Sequence, residues 1–305
     1  MVLVDQPLVL ISQAPRSGGT LLMRLFDGHP QCHAIPHELG AMLPSELPIR
    51  RAHAWRTLTD PRLAKAFEHG LRQAKRRQSA DTSSHPFLLP PLVHRGLFEE
   101  CVKRRKPRSD RGILECYLTA YFNGRLNYGG LDGEKRWVTG FEPGAIARPK
   151  RLACFHALYP DGRIVSVVRD PATWVVSALR RHERYPTLDV AVGVWREAVE
   201  ALLAEHAREP QSVAIVPFES LVSRTEPTMR ALAKFLGIEF RTELLEPTFD
   251  GVPMKANSSF PVEQAGVIAA PLARDDELNA SDRDAVRRKL GDLHQQALAV
   301  ALVRP

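Results

Sequence analysis

The stretch from Leu8 to Leu22, Leu-Val-Leu-Ile-Ser-Gln-Ala-Pro-Arg-Ser-Gly-Gly-Thr-Leu-Leu, constrains the fold more than any other part of the chain. An apolar, β-branched run stops at a proline, an arginine and a small-residue loop, and an apolar segment with helical spacing follows. The stretch therefore predicts strand, turn and helix in succession. Gly18 and Gly19 let the turn aim successive backbone N–H groups at one point, and a helix starting near Thr20 adds the positive end of its dipole. A phosphate or similar oxyanion suits such a turn.

The loop that binds nucleoside triphosphates reads G-x-x-x-x-G-K-[ST], with a lysine that reaches the terminal phosphates. Here Ala14 stands in place of the first glycine, Thr20 directly follows Gly19, and the nearby cation is Arg16. The turn reads as an anion cradle but not as an ordinary ATP or GTP site.

With 305 residues, 44% of them hydrophobic and 25% charged, the chain can bury a sizeable core, and it reads as a single globular domain over 1–305. A net charge of +7 favours an anionic partner. The basic runs, of which 103–108 is the densest, read as solvated faces, and no segment resembles an established nucleic-acid module. Cys32, Cys101, Cys116 and Cys154 are widely spaced and not interleaved with histidines, which predicts no metal site and a reduced, cytoplasmic compartment. The N-terminus lacks a basic region and carries Asp5 in its first apolar stretch, so it reads as the lead-in to a core strand rather than a signal peptide. No run approaches the ~18 apolar residues of a transmembrane helix.

The first helix should reach about Asp27, and 29–48, with four prolines, reads as a loop. Helical periodicity over 60–77 and 92–103 marks about 50–137 as a helical insertion that shapes an acceptor site. A second strong strand is 163–168. Asp170 as N-cap and Pro171 at the first helical position then open a helix running through Arg184, with Pro186 beyond it. A helix over 188–207, a strand over 213–217, a helix over 226–236 ended by Gly237 and a terminal helix over 282–302 follow. Strands alternating with helices predict a three-layer α/β/α fold with a central, mainly parallel sheet and ligands at the carboxyl ends of its strands.

A second anchor falls at one of those ends. Arg169 follows the strand 163–168, and Ser177, eight residues on, lies little more than two helical turns further along the same face. A guanidinium fork and a hydroxyl suit a phosphate monoester.

In order and spacing, the 15–20 loop and the 168–177 segment together resemble the two cofactor signatures of the sulfotransferases that use 3′-phosphoadenosine 5′-phosphosulfate. The loop Pro-Arg-Ser-Gly-Gly-Thr is most similar to the bacterial and tyrosylprotein-like branch. The resemblance implies a P-loop-like fold in which Arg16, Ser17, Gly18, Gly19, Thr20 and Leu21 hold the 5′-phosphosulfate, while Arg169 and Ser177 hold the 3′-phosphate. Segment 216–221 followed by 226–237 is similar to the family's "YEDL … FLG" region, with Phe218 in place of the tyrosine. Segment 254–260 resembles the late loop that closes over the nucleotide, which makes Lys255 a candidate second cation.

The implied reaction is in-line transfer of a sulfuryl group to a hydroxyl acceptor, a carbohydrate or other polar metabolite, leaving 3′,5′-bisphosphoadenosine and demanding no metal. Arg16 would stabilise charge on the transferring group. A base must come from elsewhere. In the resembling branch it is a glutamate shortly after a His-Pro pair, which here implies Glu38, one residue further from His29-Pro30 than the pattern, with His37 the second candidate. The family's upstream Lys-Thr-Pro is replaced near 140–143 by Gly-Phe-Glu-Pro, with Arg148, Lys150 and Arg151 close by in sequence. Two other readings stand beside this one, a nucleotide-dependent kinase with a degenerate loop and a non-catalytic protein that binds an anionic glycan. The missing lysine and the lack of an acidic metal-binding strand count against the kinase.

Overall fold

Five short apolar runs supply the framework, each almost wholly buried, as strands covered on both faces must be. They are β1 (Leu8–Ile11), β2 (Cys32–Glu38), β3 (Trp137–Phe141), β4 (Arg163–Val168) and β5 (Val213–Pro217). The computed structural model describes residues 1–47, 88–126, 128–249, 251–253, 267 and 275–304. All five strands run parallel in one sheet of order β2-β3-β1-β4-β5.

The helices are α1 (Gly19–Phe26), α2 (Pro91–Arg105), α3 (Asp110–Gly124), α4 (Pro149–Leu158), α5 (Pro171–Leu179), α6 (Leu188–Arg208), α7 (Phe218–Ser223), α8 (Thr225–Leu236) and α9 (Ala280–Ala299). Alternation along β1 assigns them to two layers. Leu8 and Leu10 point into a core with Tyr121 of α3, Phe155 of α4, Trp174 of α5, Trp195 of α6 and Leu290 of α9. Val9 and Ile11 point the other way, onto Leu22 and Phe26 of α1 and Leu232 of α8. This is the three-layer α/β/α sandwich with a parallel sheet that the alternating pattern predicts.

The connection from β1 through α1 leads outward to the edge strand β2, whereas β4 leads to β5 on the opposite side. The strand order therefore reverses between β1 and β4. In such sheets the crevice above the carboxyl ends at this reversal is where ligands bind.

Several boundaries differ from expectation. Strand β2 lies inside the stretch read as a loop, and β3 was not among the predicted strands. Pro36 is tolerated because β2 is an edge strand, with a neighbour on one side only. Helices α2 and α3 form the helical excursion between these two strands, while the helix expected over 60–77 lies outside the described residues. Helix α5 ends at Leu179 rather than Arg184, and α9 spans Ala280–Ala299 rather than 282–302, starting from an Asn279 cap that accepts from the Asp282 N–H at 2.8 Å. Among the described residues no helix is long and apolar enough to cross a membrane.

Candidate functional site

The turn between β1 and α1 sits at the reversal point and is fastened from both sides. Ser12 donates its N–H to Val165 O of β4 at 3.1 Å, and the Gly144 N–H, just beyond β3, donates to Gln13 O at 2.9 Å. The Ser17 N–H closes back onto Ala14 O at 3.3 Å. Arg16 and Gly18 have φ of 78° and 103°, in the left-handed region that non-glycine residues seldom occupy. Gly18 is the N-cap of α1. Its glycine identity is required twice over, by φ and because a Cβ there would lie 2.5 Å from Phe218 Cδ2.

With Gly18 as the capping glycine, the place of the first glycine, five residues earlier, belongs to Gln13 and not to Ala14, and the lysine's place belongs to Gly19. A Cβ on Gly19 would collide with the Gln13 amide and would lie 2.5 Å from Phe141 Cε2. A side chain at that position requires the Gln13 amide and the Phe141 ring to shift. Burial encloses the Gln13 amide, neither end of which has a hydrogen-bond partner among the described residues.

The second signature meets this loop directly. Arg16 Nε donates to Ser177 Oγ at 3.2 Å, and Arg169 Nη1 donates to Arg16 O at 3.4 Å, contacts that span about half the chain. Arg16, which the resemblance assigns to the 5′ end, thus has its backbone in the loop and its guanidinium against a member of the 3′ set. The Arg169 guanidinium stacks on Phe218, 4.6 Å from the ring centroid. Trp174 Nε1 donates to Pro15 O at 2.8 Å, and Trp195 Nε1 donates to Arg169 O at 3.2 Å. These buried indoles thus satisfy one carbonyl within the turn and one at the end of β4. Ser17 is buried, while Thr20 and Leu21 are half-buried on the first turn of α1. Lys255 lies outside the described residues.

The base candidates separate sharply. Glu38 ends β2, exposed, level with Phe141 and hence two strands from Ile11, roughly 10 Å across the sheet at the usual spacing. The ladder explains how it gets there despite its extra distance from His29-Pro30. Ala34 pairs with Thr139 but Glu38 pairs with Phe141, four residues on β2 against two on β3, so a bulge absorbs the excess and re-aims the strand end.

His37, by contrast, is 7% exposed. Its Nδ1–H donates to Glu38 O at 2.9 Å, which leaves Nε2 to accept the Tyr121 hydroxyl at 2.9 Å. Burial pushes its imidazole down to about 4. His33, against Phe122 and Tyr128, is pushed down to about 3 by the same cause. His29 joins the β2 entry to Glu239 O at 2.9 Å. All three rings are buried and hydrogen-bonded within the protein.

At the Gly-Phe-Glu-Pro stretch, Glu142 is buried and accepts from the Gly40 N–H at 2.8 Å and from Arg151 Nη1 at 2.5 Å, with Arg148 Nη1 at 3.5 Å. Burial raises its carboxyl above the ordinary range, an effect that these partners oppose. Neither Glu142 nor the two indoles is a candidate that spacing reveals, because each acts on a residue far away in sequence. Among the described residues no three His, Cys, Asp or Glu side chains converge where a metal could bind.

The chain is 23% identical over 247 residues to protein-tyrosine sulfotransferase 2 of Gallus gallus and 22% identical over 246 residues to protein-tyrosine sulfotransferase 1 of Danio rerio. Each match covers 79% of this chain but 54% and 56% of those proteins, so the chain spans about half the length of the curated relatives it matches. Its fold is similar to the sulfotransferase domain from the curacin biosynthetic pathway, with a TM-score of 0.54 at 18% identity over 94% of this chain and 98% of that one. The sulfotransferase domain from the Synechococcus PCC 7002 olefin synthase gives a TM-score of 0.57 at 18% identity, over 94% and 95% of the two chains. The model of the sulfotransferase family matches residues 7–242, and the chain belongs to that family.

Proposed function

We propose that this chain transfers a sulfuryl group from 3′-phosphoadenosine 5′-phosphosulfate to a hydroxyl-bearing acceptor. The observation that carries the reading is the convergence of Arg16, Arg169 and Ser177 at a glycine-kinked helix N-terminus on the sheet's reversal point. Two guanidinium groups and a hydroxyl suit the dianionic 3′-phosphate, and the N–H groups of Gly18, Gly19 and Thr20, with the Ser17 side chain beside them, suit the 5′-phosphosulfate. Leu21 borders that end of the cradle, and Lys255 is the further cation proposed for the 3′-phosphate. The space denied at Gly19 disfavours the lysine of a triphosphate loop, and with it the kinase alternative.

In the proposed step the acceptor oxygen attacks sulfur in line. Its proton passes to the Glu38 carboxylate as the new O–S bond forms, and the bond from sulfur to the bridging oxygen breaks, releasing 3′,5′-bisphosphoadenosine. The loop N–H groups hold the equatorial and departing oxygens, where one such donor is typically worth ~3 kcal/mol of barrier. Glu38 is the first choice of base because its carboxylate reaches solvent at the carboxyl edge, whereas both ring nitrogens of His37 are engaged inside the protein. The acceptor class proposed is a carbohydrate or other polar metabolite.

Titration calorimetry with 3′,5′-bisphosphoadenosine tests the cradle. Arg16→Ala and Arg169→Ala should each weaken binding by about tenfold or more, the loss of charge-assisted hydrogen bonds worth about 1.5–3 kcal/mol. Undiminished affinity in both variants would overturn the reading. Transfer of labelled sulfate from the donor to a panel of hydroxyl compounds then identifies the acceptor.

A further inference from the structure

The short turn after Glu38 is held by a buried carboxylate that the transfer step does not use. Beyond Glu38 the chain makes one more ladder bond, from the Leu39 N–H to Phe141 O at 2.8 Å, and then bends at Gly40, whose φ of 54° lies in the left-handed region. The Leu39 side chain is seated on Gly140, where a Cβ would lie 2.6 Å from Leu39 Cδ2. The Gly40 N–H donates to Glu142 Oε2 at 2.8 Å. Arg151 Nη1 spans the other half, donating to Glu142 Oε1 at 2.5 Å and to Gly40 O at 3.2 Å. The backbone N–H and C=O of Gly40 are therefore both gripped by one ion pair.

Three features make this more than an ordinary buried pair. Glu142 follows β3 directly, and its own N–H donates to Ile11 O at 3.0 Å, so the clamp is rooted on the strand next to the anion-binding turn. Glu142 is buried and each of its carboxylate oxygens accepts a hydrogen bond from the protein, which suits a structural role better than that of the base. Upstream of Glu38 the ladder is interrupted by the bulge between Ala34 and Glu38, so the downstream attachment has a larger share in fixing the strand end.

We propose that Glu142, clamped by Arg151, is a positioning residue for Glu38, acting through the Gly40 N–H to fix the distance of the Glu38 carboxylate from the anion-binding turn. The inference deepens the proposed function, because it rests on Glu38 as the base. A misplacement of about 1 Å at a reacting group can cost a hundredfold in rate, so a clamp two residues away has leverage on the chemistry.

The test compares Glu142→Ala, Glu142→Gln and Glu38→Gln with the wild type. In Glu142→Ala, exchange of the Gly40 amide hydrogen should accelerate by about tenfold or more, while amides of β1 and β4 stay protected. Turnover of labelled donor should fall by at least about tenfold with the affinity for 3′,5′-bisphosphoadenosine unchanged. Glu142→Gln, whose amide oxygen still accepts from Gly40, should recover part of both. Unchanged Gly40 exchange in Glu142→Ala would overturn the proposal, and so would a nucleotide affinity that falls in step with turnover. A Glu142→Gln variant no better than Glu142→Ala would do the same. Full turnover in Glu38→Gln, with Gly40 deprotected in Glu142→Ala, would instead remove the base assignment and leave the clamp standing.

Discussion

At the scale of single residues, neighbouring side chains at the end of β2 have opposite fates. His37 and Glu38 are adjacent, so the strand pleat sends them to opposite faces, one against Tyr121 and the other toward solvent. Glu38→Gln keeps size and polarity but cannot take a proton, so sulfate transfer should fall by about 10²- to 10⁴-fold with nucleotide affinity unchanged. His37→Phe keeps a buried ring and loses two hydrogen bonds, so it should lower stability by about 1–3 kcal/mol while retaining most of the transfer rate. A rate loss in His37→Phe as deep as that in Glu38→Gln would move the base to the histidine. The sequence puts these two residues forward through the resemblance, whose base is a glutamate shortly after a His-Pro pair. Which of them faces solvent was not legible there, since that depends on a bulge whose partner strand lies about a hundred residues later in the chain.

At the scale of elements, legibility follows how local the cause is. Asp170-Pro171 predicted the start of α5 because the cap is made within four residues, the Asp170 side chain accepting from the Thr173 N–H at 2.8 Å. Strand β2 escaped detection because six of its seven residues are buried, histidines included, which erases the alternation that announces a strand. The loop–helix junction at Gly18 is a third case, where the pattern named the glycine but not the Phe218 ring above it. Gly18→Ala should cost about 1–3 kcal/mol in chemical denaturation, because the left-handed φ and the ring contact both oppose a methyl group. In a Phe218→Ala background the contact is gone but the φ is not, so Gly18→Ala should still cost more than half as much there as in the wild type. A cost that vanishes in that background would show that packing, rather than backbone strain, fixes this position.

At the scale of the whole molecule, the layer beyond β2 concentrates neutral histidines. His33 and His37 lie on β2 and His94 on α2, where its ring packs edge-on against Tyr117 of α3, 4.8 Å between centroids. Burial pushes His94 down to about 4, as it does His37, and His33 to about 3. Each therefore binds its proton more weakly folded than unfolded, where the ordinary value is 6.5. Their contribution to stability is complete above pH 6.5 and is lost as the pH falls through that value toward 4, by an amount on the order of 2 kcal/mol per histidine at pH 4.5. Urea unfolding should thus show a steep decline across this window, rooted in the α2, α3 and β2 face rather than in the anion-binding turn. His94→Phe isolates one contributor, since phenylalanine keeps the edge-on contact with Tyr117 and cannot be protonated. Whatever the variant costs at pH 7.5, its deficit relative to the wild type should shrink, or reverse, at pH 4.5 by about 2 kcal/mol. Parallel stability curves for the two proteins from pH 7.5 to 4.5 would mean that His94 does not titrate in this window and that the acid sensitivity arises elsewhere.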